Sequence, residues 1–245
     1  MSVHFDINDS VAVLTLDNPK KLNALSSEFI GEIYEHLVDL DKKANVLVIF
    51  GTEKAFAAGV NINEIDSLSF EDAVLQDFID FRWEAVFNLK IPVISGIRKY
   101  ALGGGFELAL ASDIIVASED ATFGFPEINL GLMPGLGGTQ LLSRIVGTKK
   151  ANEIILTGDS ISAQEAFRLN IVSKVVSNEE LITETLQLAQ KIAKKSPMST
   201  RFIKQAIQMS QNTGCKEGIQ IERNMFRSLF ATSFKEEGVK KFLKR

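Results

Sequence analysis

The chain has 245 residues, 45% of them hydrophobic and 24% charged, with a formal net charge of -4. That is enough apolar material for a full core, and the acid excess leaves no basic stripe for a nucleic acid backbone, so no nucleic acid partner is expected. A single cysteine, Cys215, excludes an intramolecular disulfide and a cysteine-based metal cluster.

In chain order, Val3–Ile7 and Val11–Asp17 read as two short strands around the turn Asn8-Asp9-Ser10, and Asn18-Pro19 breaks the pattern. Ser26 or Ser27 can cap a helix with Phe29, Ile33, Leu37 and Leu40 at helical spacing, and Val46–Phe50 follows as a buried strand. Ser69 caps a second helix with Ala73, Phe78, Phe81 and Phe87 among its apolar positions, and Pro92–Ile97 is the next strand. Then come helix Gly104–Ala111, strand Asp113–Ala117, a loop over Thr122–Pro134, helices at Leu136–Val146, Lys149–Leu156 and Ser162–Leu169, and strand Val172–Val176. Strands alternating with helices imply an α/β fold with a parallel sheet.

After Asn178 the pattern is helical throughout: Glu179–Lys194, Ser199–Met209, Cys215–Phe230 and Phe234–Leu243. The chain therefore divides into a core with the active site, residues 1–177, and a helical region, 178–245, that covers the core or joins subunits. Phe226 and Phe230, four apart on one helix, need an apolar partner within the chain, across a subunit contact or over the active site. No apolar run reaches the ~20 residues needed to cross a bilayer, and Met1–Asp6 has no signal-peptide pattern. A cytoplasmic protein without a membrane partner is expected.

The chemistry concentrates in Ala101–Ala111, where Gly103, Gly104 and Gly105 precede Glu107. Consecutive glycines allow close backbone approach, and the first amides of the following helix have no intrahelical acceptor. The plainer account of Glu107 is an acid favoured in a first helical turn, and Glu127 after Pro126 has a similar one. Against those accounts stands the company of two more backbone-exposing stretches, Ala55–Val60 and Gly135–Thr139. In an open α/β sheet such loops meet outside the carboxyl ends of the strands. The loops after Val46–Phe50 and Pro92–Ile97 could then each aim one amide at an oxyanion, as a thioester turning into an enolate requires.

Five stretches carry a family resemblance: Leu16–Lys20 with Leu22–Leu25, Lys54–Gly59, Tyr100–Ala109, Pro126–Gly131 through Pro134–Gln140, and Leu156–Ala166. Together they resemble the enoyl-CoA hydratase/isomerase (crotonase) family, from the first strand to the C-terminal helices. The resemblance implies a spiral of ββα turns with a helical C-terminal region. It also implies assembly as a homotrimer or dimer of trimers, an acyl-CoA thioester as substrate, and no cofactor beyond the coenzyme A that the substrate carries. By position, the oxyanion amides are those of Val60 and Gly104. Glu107 and Glu127 match the two glutamates that hold a water for addition to a trans-2-enoyl thioester, giving a 3-hydroxyacyl-CoA in fatty-acid β-oxidation. Ala58, Val60, Asn61, Ile62, Asn63, Gly104 and Lys20 are the matching substrate-binding candidates.

Three places depart from the family pattern. Val60-Asn61 stands where most members have alanine or serine followed by aspartate, Asn63 where a lysine is common, and Arg98-Lys99 where Asn-Gly is common. Lys20, Lys21, Lys235 and Lys240 are then alternative cations for the CoA phosphates, although a solvated surface lysine is the leading reading of each. An enoyl-CoA double-bond isomerase of the same family is the nearest alternative, and retention of both glutamates favours the hydratase. A non-catalytic or RNA-binding member belongs to a different class; it would lose a glutamate or gain a basic stripe, and this chain does neither. With two histidines, His4 and His36, both ahead of the glycine loops, a serine hydrolase or a metal site has little to work with.

Overall fold

A computed structural model describes residues 2–244. Its strands are β1 (Ser2–Asn8), β2 (Val11–Asp17), β3 (Val46–Phe50), β4 (Val93–Ile97), β5 (Tyr100–Leu102), β6 (Ile114–Ser118), β7 (Thr122–Gly124), β8 (Ile161–Ser162) and β9 (Lys174–Val176). The main sheet runs β1-β2-β3-β4-β6-β9, with β1 antiparallel to β2 and every other pair parallel. The opening hairpin closes through Asp9 and Ser10, both at positive φ, as a two-residue turn matched to strand twist requires.

Every residue of β3 and β4 is buried, because helices cover both faces of the sheet. One face packs Leu14, Leu47, Ile49 and Val93 against Phe29, Ile33 and Leu37 of helix Ser27–Leu37 and against Phe106. The other packs Val46, Val48, Ile94 and Val116 against Leu181 and Ala189 of helix Leu181–Ala193. A second sheet, β5-β7-β8, has strands of two or three residues. The order strand, strand, helix recurs at β1-β2, β4-β5 and β6-β7.

The structure corrects two sequence expectations. Thr122–Pro134 is not a plain loop: it holds β7 and a 3-10 turn, Pro126–Leu130. Nor does one helix run from Ser69 to Phe87. Ser69 does cap Phe70–Leu75 through a reciprocal capping box with Asp72, but Asp77 at φ 47 breaks the run, which resumes as Phe81–Glu84 and Ala85–Asn88. The helix of residues 138–157 bends at Gly147, whose φ of 77 and ψ of 158 are not helical, between the two helices read from the sequence.

Helix Pro197–Met209 is fastened to the sheet by Lys204, which is 6% exposed and reaches Asp113 at 2.8 Å and Ile91 O at 2.9 Å. The last two helices, Cys215–Ser228 and Ser233–Leu243, have no buried residue, and Phe226, Phe230 and Phe234 stand more than half exposed. Of the partners open to the Phe226–Phe230 pair, the sheet core of the same chain is therefore excluded. No helix among the described residues is long and apolar enough to cross a membrane.

Candidate active site

Two isolated bridges draw the loops after β3 and β4 together. In the first, Ala57 pairs with Ala101, with Ala57 N donating to Tyr100 O at 3.1 Å and Leu102 N to Ala57 O at 3.0 Å. In the second, Leu25 pairs with Val60: Leu25 N donates to Gly59 O and Asn61 N to Leu25 O, each at 2.8 Å. The peptides on either side of Val60 thus face Leu25, and the N–H of Val60 itself points to the opposite side. Behind them, buried Asn23 donates to Ala55 O at 3.0 Å and Phe56 O at 2.9 Å and accepts from Asn18 N at 2.6 Å.

The glycines at 103 and 105 have separate reasons. Gly103 enters the helix at φ 52, ψ -129, a region that side chains disfavour. A β-carbon at 105 would lie 2.1 Å from Ala57 O, so this residue lets the two loops touch. Between them, Gly104 opens helix Gly104–Leu110, and its N–H has no acceptor in its own helix. A β-carbon at 104 would sit 3.5 Å from Val60 N, and one at Gly59 3.8 Å from Gly104 N. The two amides therefore lie side by side.

Glu107, one turn into that helix, is 2% exposed. Its Oε1 accepts from Leu136 N at 2.7 Å and from Gly138 N at 2.6 Å. Burial raises its pKa above the ordinary carboxyl value, and the amides of Gly138, Leu136 and Gly135 pull it back. Glu127 is delivered by an aromatic stack: Phe106 packs on Phe123 at 5.3 Å and on Phe125 at 4.8 Å, and Phe125 leads into Pro126. Burial raises Glu127 to about 7, opposed by its own backbone N–H and reinforced by the charge of Glu107. Its Oε2 is buried and accepts no hydrogen bond among the described residues.

Both carboxyls line one cavity of about 360 Å3, together with Ala58, Gly59, Val60, Ile62 and Gly103. A second cavity of about 340 Å3 shares Glu107, Ile79, Gly135 and Leu136 with it and continues between Gly104, Leu25, Ile30, Trp83, Phe87, Leu108 and Leu141. Nothing in the sequence pattern marks this second space, since the segment that walls it reads there as one unbroken helix. The Leu136 and Gly138 amides are equally unannounced, although the glycine run 135–138 hints at exposed backbone.

Of the sequence candidates, Ala58, Val60, Ile62, Gly104, Glu107 and Glu127 are brought together here. Asn61 and Asn63 do not line the cavities: Asn61 caps helix Ile62–Asp66, accepting from Asn63 N at 3.3 Å, and Asn63 is exposed. Lys20 lies exposed in the 3-10 turn Pro19–Lys21, also away from them. No group of three or more histidine, cysteine or acidic residues of metal-binding arrangement occurs among the described residues.

Residues 6–245 match the sequence model of the enoyl-CoA hydratase/isomerase family. The chain belongs to that family. A probable mitochondrial enoyl-CoA hydratase of Dictyostelium discoideum is 44% identical over 96% of this chain and 85% of its own length. A probable enoyl-CoA hydratase of Rhizobium meliloti is 44% identical over 95% and 91%. Among solved structures, an enoyl-CoA hydratase subunit from Geobacillus kaustophilus superposes with a TM-score of 0.96 at 41% identity, covering all of this chain and 95% of the other. The crotonase fold of this family is therefore the fold of this chain.

One departure from the family pattern has a local account. Lys99 adopts φ 57 in the turn between β4 and β5, a conformation that suits the glycine common there. Its ammonium pairs with Asp120 at 2.8 Å. Burial pushes the Asp120 carboxyl up, but hydrogen bonds from Lys99, Ser118 and Asn178 outweigh it and hold the group at about 2.

Proposed function

We propose that the protein is an enoyl-CoA hydratase of the fatty-acid β-oxidation type, adding water reversibly to a trans-2-enoyl-CoA. The observation that carries this reading is the unequal carboxyl pair. Glu107 and Glu127 share a cavity and burial raises both, but two amide donors on Glu107 Oε1 pull that carboxyl back, whereas Glu127, raised to about 7, has no donor on its Oε2 among the described residues. The proton belongs to the pair as a whole, but this hydrogen bonding biases it toward Glu127.

In this mechanism a water lies between the carboxyls. Glu107 takes a proton from it as its oxygen bonds to C3, and Glu127 gives its proton to C2. The electron pair of the C2–C3 double bond passes through an enolate whose charge falls on the thioester oxygen. The amides of Val60 and Gly104 meet that charge, each contributing about 3 kcal/mol at the transition state. Ala58, Val60 and Ile62 form the thioester wall, and the second cavity takes the acyl tail.

A double-bond isomerase needs one carboxyl to carry a proton between two carbons; the presence of both favours hydration. Hydration transfers no electrons to an acceptor, so it needs no bound cofactor, and the coenzyme A arrives with the substrate. The exposed apolar faces of residues 215–243 support assembly with further copies of this chain as a trimer or dimer of trimers, with residues 178–245 as the joining region, and light scattering on the purified protein tests it.

The test of function is incubation with trans-2- and 3-enoyl-CoA panels of increasing chain length in the presence of a chelator. Loss of the conjugated enoyl absorbance with formation of 3-hydroxyacyl-CoA is expected. Double-bond migration without hydration would establish the isomerase instead, and no turnover of either panel would overturn both.

A further inference from the structure

Glu64 is a charged group that the mechanism leaves unused, and its contacts converge on the segment that presents the Val60 amide. Helix Ile62–Asp66 follows Val60-Asn61 directly and has no fully buried residue, with Ile65 only half-buried, so hydrophobic packing alone holds it weakly. Polar ties add to that hold. Asn61 Nδ2 donates to Glu64 Oε1 at 3.4 Å, while Glu64 Oε2 accepts from both the backbone N–H and the Oγ of Ser27, each at 3.0 Å. Ser27 opens helix Ser27–Leu37, which is seated in the core by Phe29, Ile30, Ile33 and Leu37. Its N–H is one of the first-turn donors that lack an intrahelical acceptor, and the positive end of the helix favours a carboxylate there.

We infer that Glu64 is a positioning residue for the Val60 amide, an inference that rests on the reading of that amide as an oxyanion donor. The Leu25 bridge fixes the peptides on either side of Val60, and Glu64 fixes the turn beyond it to the same helix start that follows Leu25. Both ends of the strip Gly59–Glu64 are thereby referred to one rigid element. Without the carboxylate, the exposed turn is free to swing, and the N–H of Val60 loses its direction relative to that of Gly104. An oxyanion donor acts through direction and distance, so a small displacement is felt at the transition state more than in ground-state binding.

Glu64→Ala, Glu64→Gln and Ser27→Ala test this, read by steady-state hydration kinetics well below the melting temperature and by amide hydrogen exchange. Glu64→Ala should lower kcat about tenfold with KM within about twofold. It should also speed exchange at Leu25 N and Asn61 N, the two amides of the Val60 bridge. Glu64→Gln keeps an acceptor oxygen for Ser27 and should restore most of both properties; Ser27→Ala should move both in the same direction by less. A merely structural role would lower the melting temperature of Glu64→Ala while leaving kcat and the exchange of those two amides unchanged, and that result overturns the inference. If Glu64→Ala does not fold, Ser27→Ala decides: an unchanged kcat and unchanged exchange overturn it. If the unaltered protein hydrates no enoyl-CoA, the functional reading fails by itself. The exchange pattern then decides whether Glu64 orders Val60, and unchanged exchange rejects that ordering.

Discussion

The backbone N–H of Gly138 donates to Glu107 Oε1 at 2.6 Å, joining the last glycine-rich loop to the carboxyl supplied by the first. With the Leu136 amide on the same oxygen, this contact fixes Glu107 Oε1 in place. A β-carbon at position 138 would stand 2.8 Å from the Phe125 ring and 2.9 Å from Glu107 Oε1. Gly138→Ala should therefore cost about 1–3 kcal/mol of stability by overpacking and lower activity by displacing both Glu107 and the Phe125 support of Glu127. Chemical denaturation together with kinetics checks both effects.

Glu127 implies a conflict between stability and activity. Its pKa of about 7 in the fold lies above the ordinary 4.5, so the folded state holds a proton that the unfolded chain releases. The resulting stability is complete below the ordinary value and is lost as pH rises through about 7. Glu127→Gln carries no such loss. Its melting temperature should exceed that of the unaltered protein at about pH 8, with the advantage shrinking toward about pH 5. An advantage independent of pH would contradict this assignment.

Lys204 makes a prediction about the C-terminal region. Its buried ammonium satisfies Asp113 and Ile91 O, and Asp113 in turn accepts from Val93 N at 2.7 Å at the start of β4. Removing one partner of a buried pair leaves the other charge poorly compensated. Lys204→Ala should lower the free energy of unfolding by about 3 kcal/mol, read from the urea midpoint at unchanged slope.

Much of this arrangement is legible in the sequence, for local reasons. The hairpin over Asn8-Asp9-Ser10, a cap at Ser26 or Ser27 that the structure gives to Ser26, the cap at Ser69, and the continuous apolar runs of β3 and β4 are each written in neighbouring residues. The glycine loop and the two glutamates are visible as motifs. What stays hidden depends on distant partners. Strands β5 and β8 are too short for any periodicity and exist because β7 lies between them. The apolar spacing of Ala73, Phe78, Phe81 and Phe87 suggests one helix, yet Asp77 turns the chain so that Ile79 and Phe87 wall a cavity. Asn61 looks like a ligand contact because it follows an oxyanion residue, whereas its amide bonds Leu25 and its side chain caps a helix. No spacing rule connects Glu64 to Ser27, which lies 37 positions earlier.

In the proposed mechanism Glu107 and Glu127 work as a pair on one water. The most direct test of that pairing is the kcat for hydration of a trans-2-enoyl-CoA by the unaltered protein, Glu107→Gln and Glu127→Gln, with melting curves confirming that each is folded. Each substitution should lower kcat by at least about 10²-fold, the scale of a general acid or base step. A near-unaltered kcat from either folded variant would contradict the paired-carboxyl mechanism.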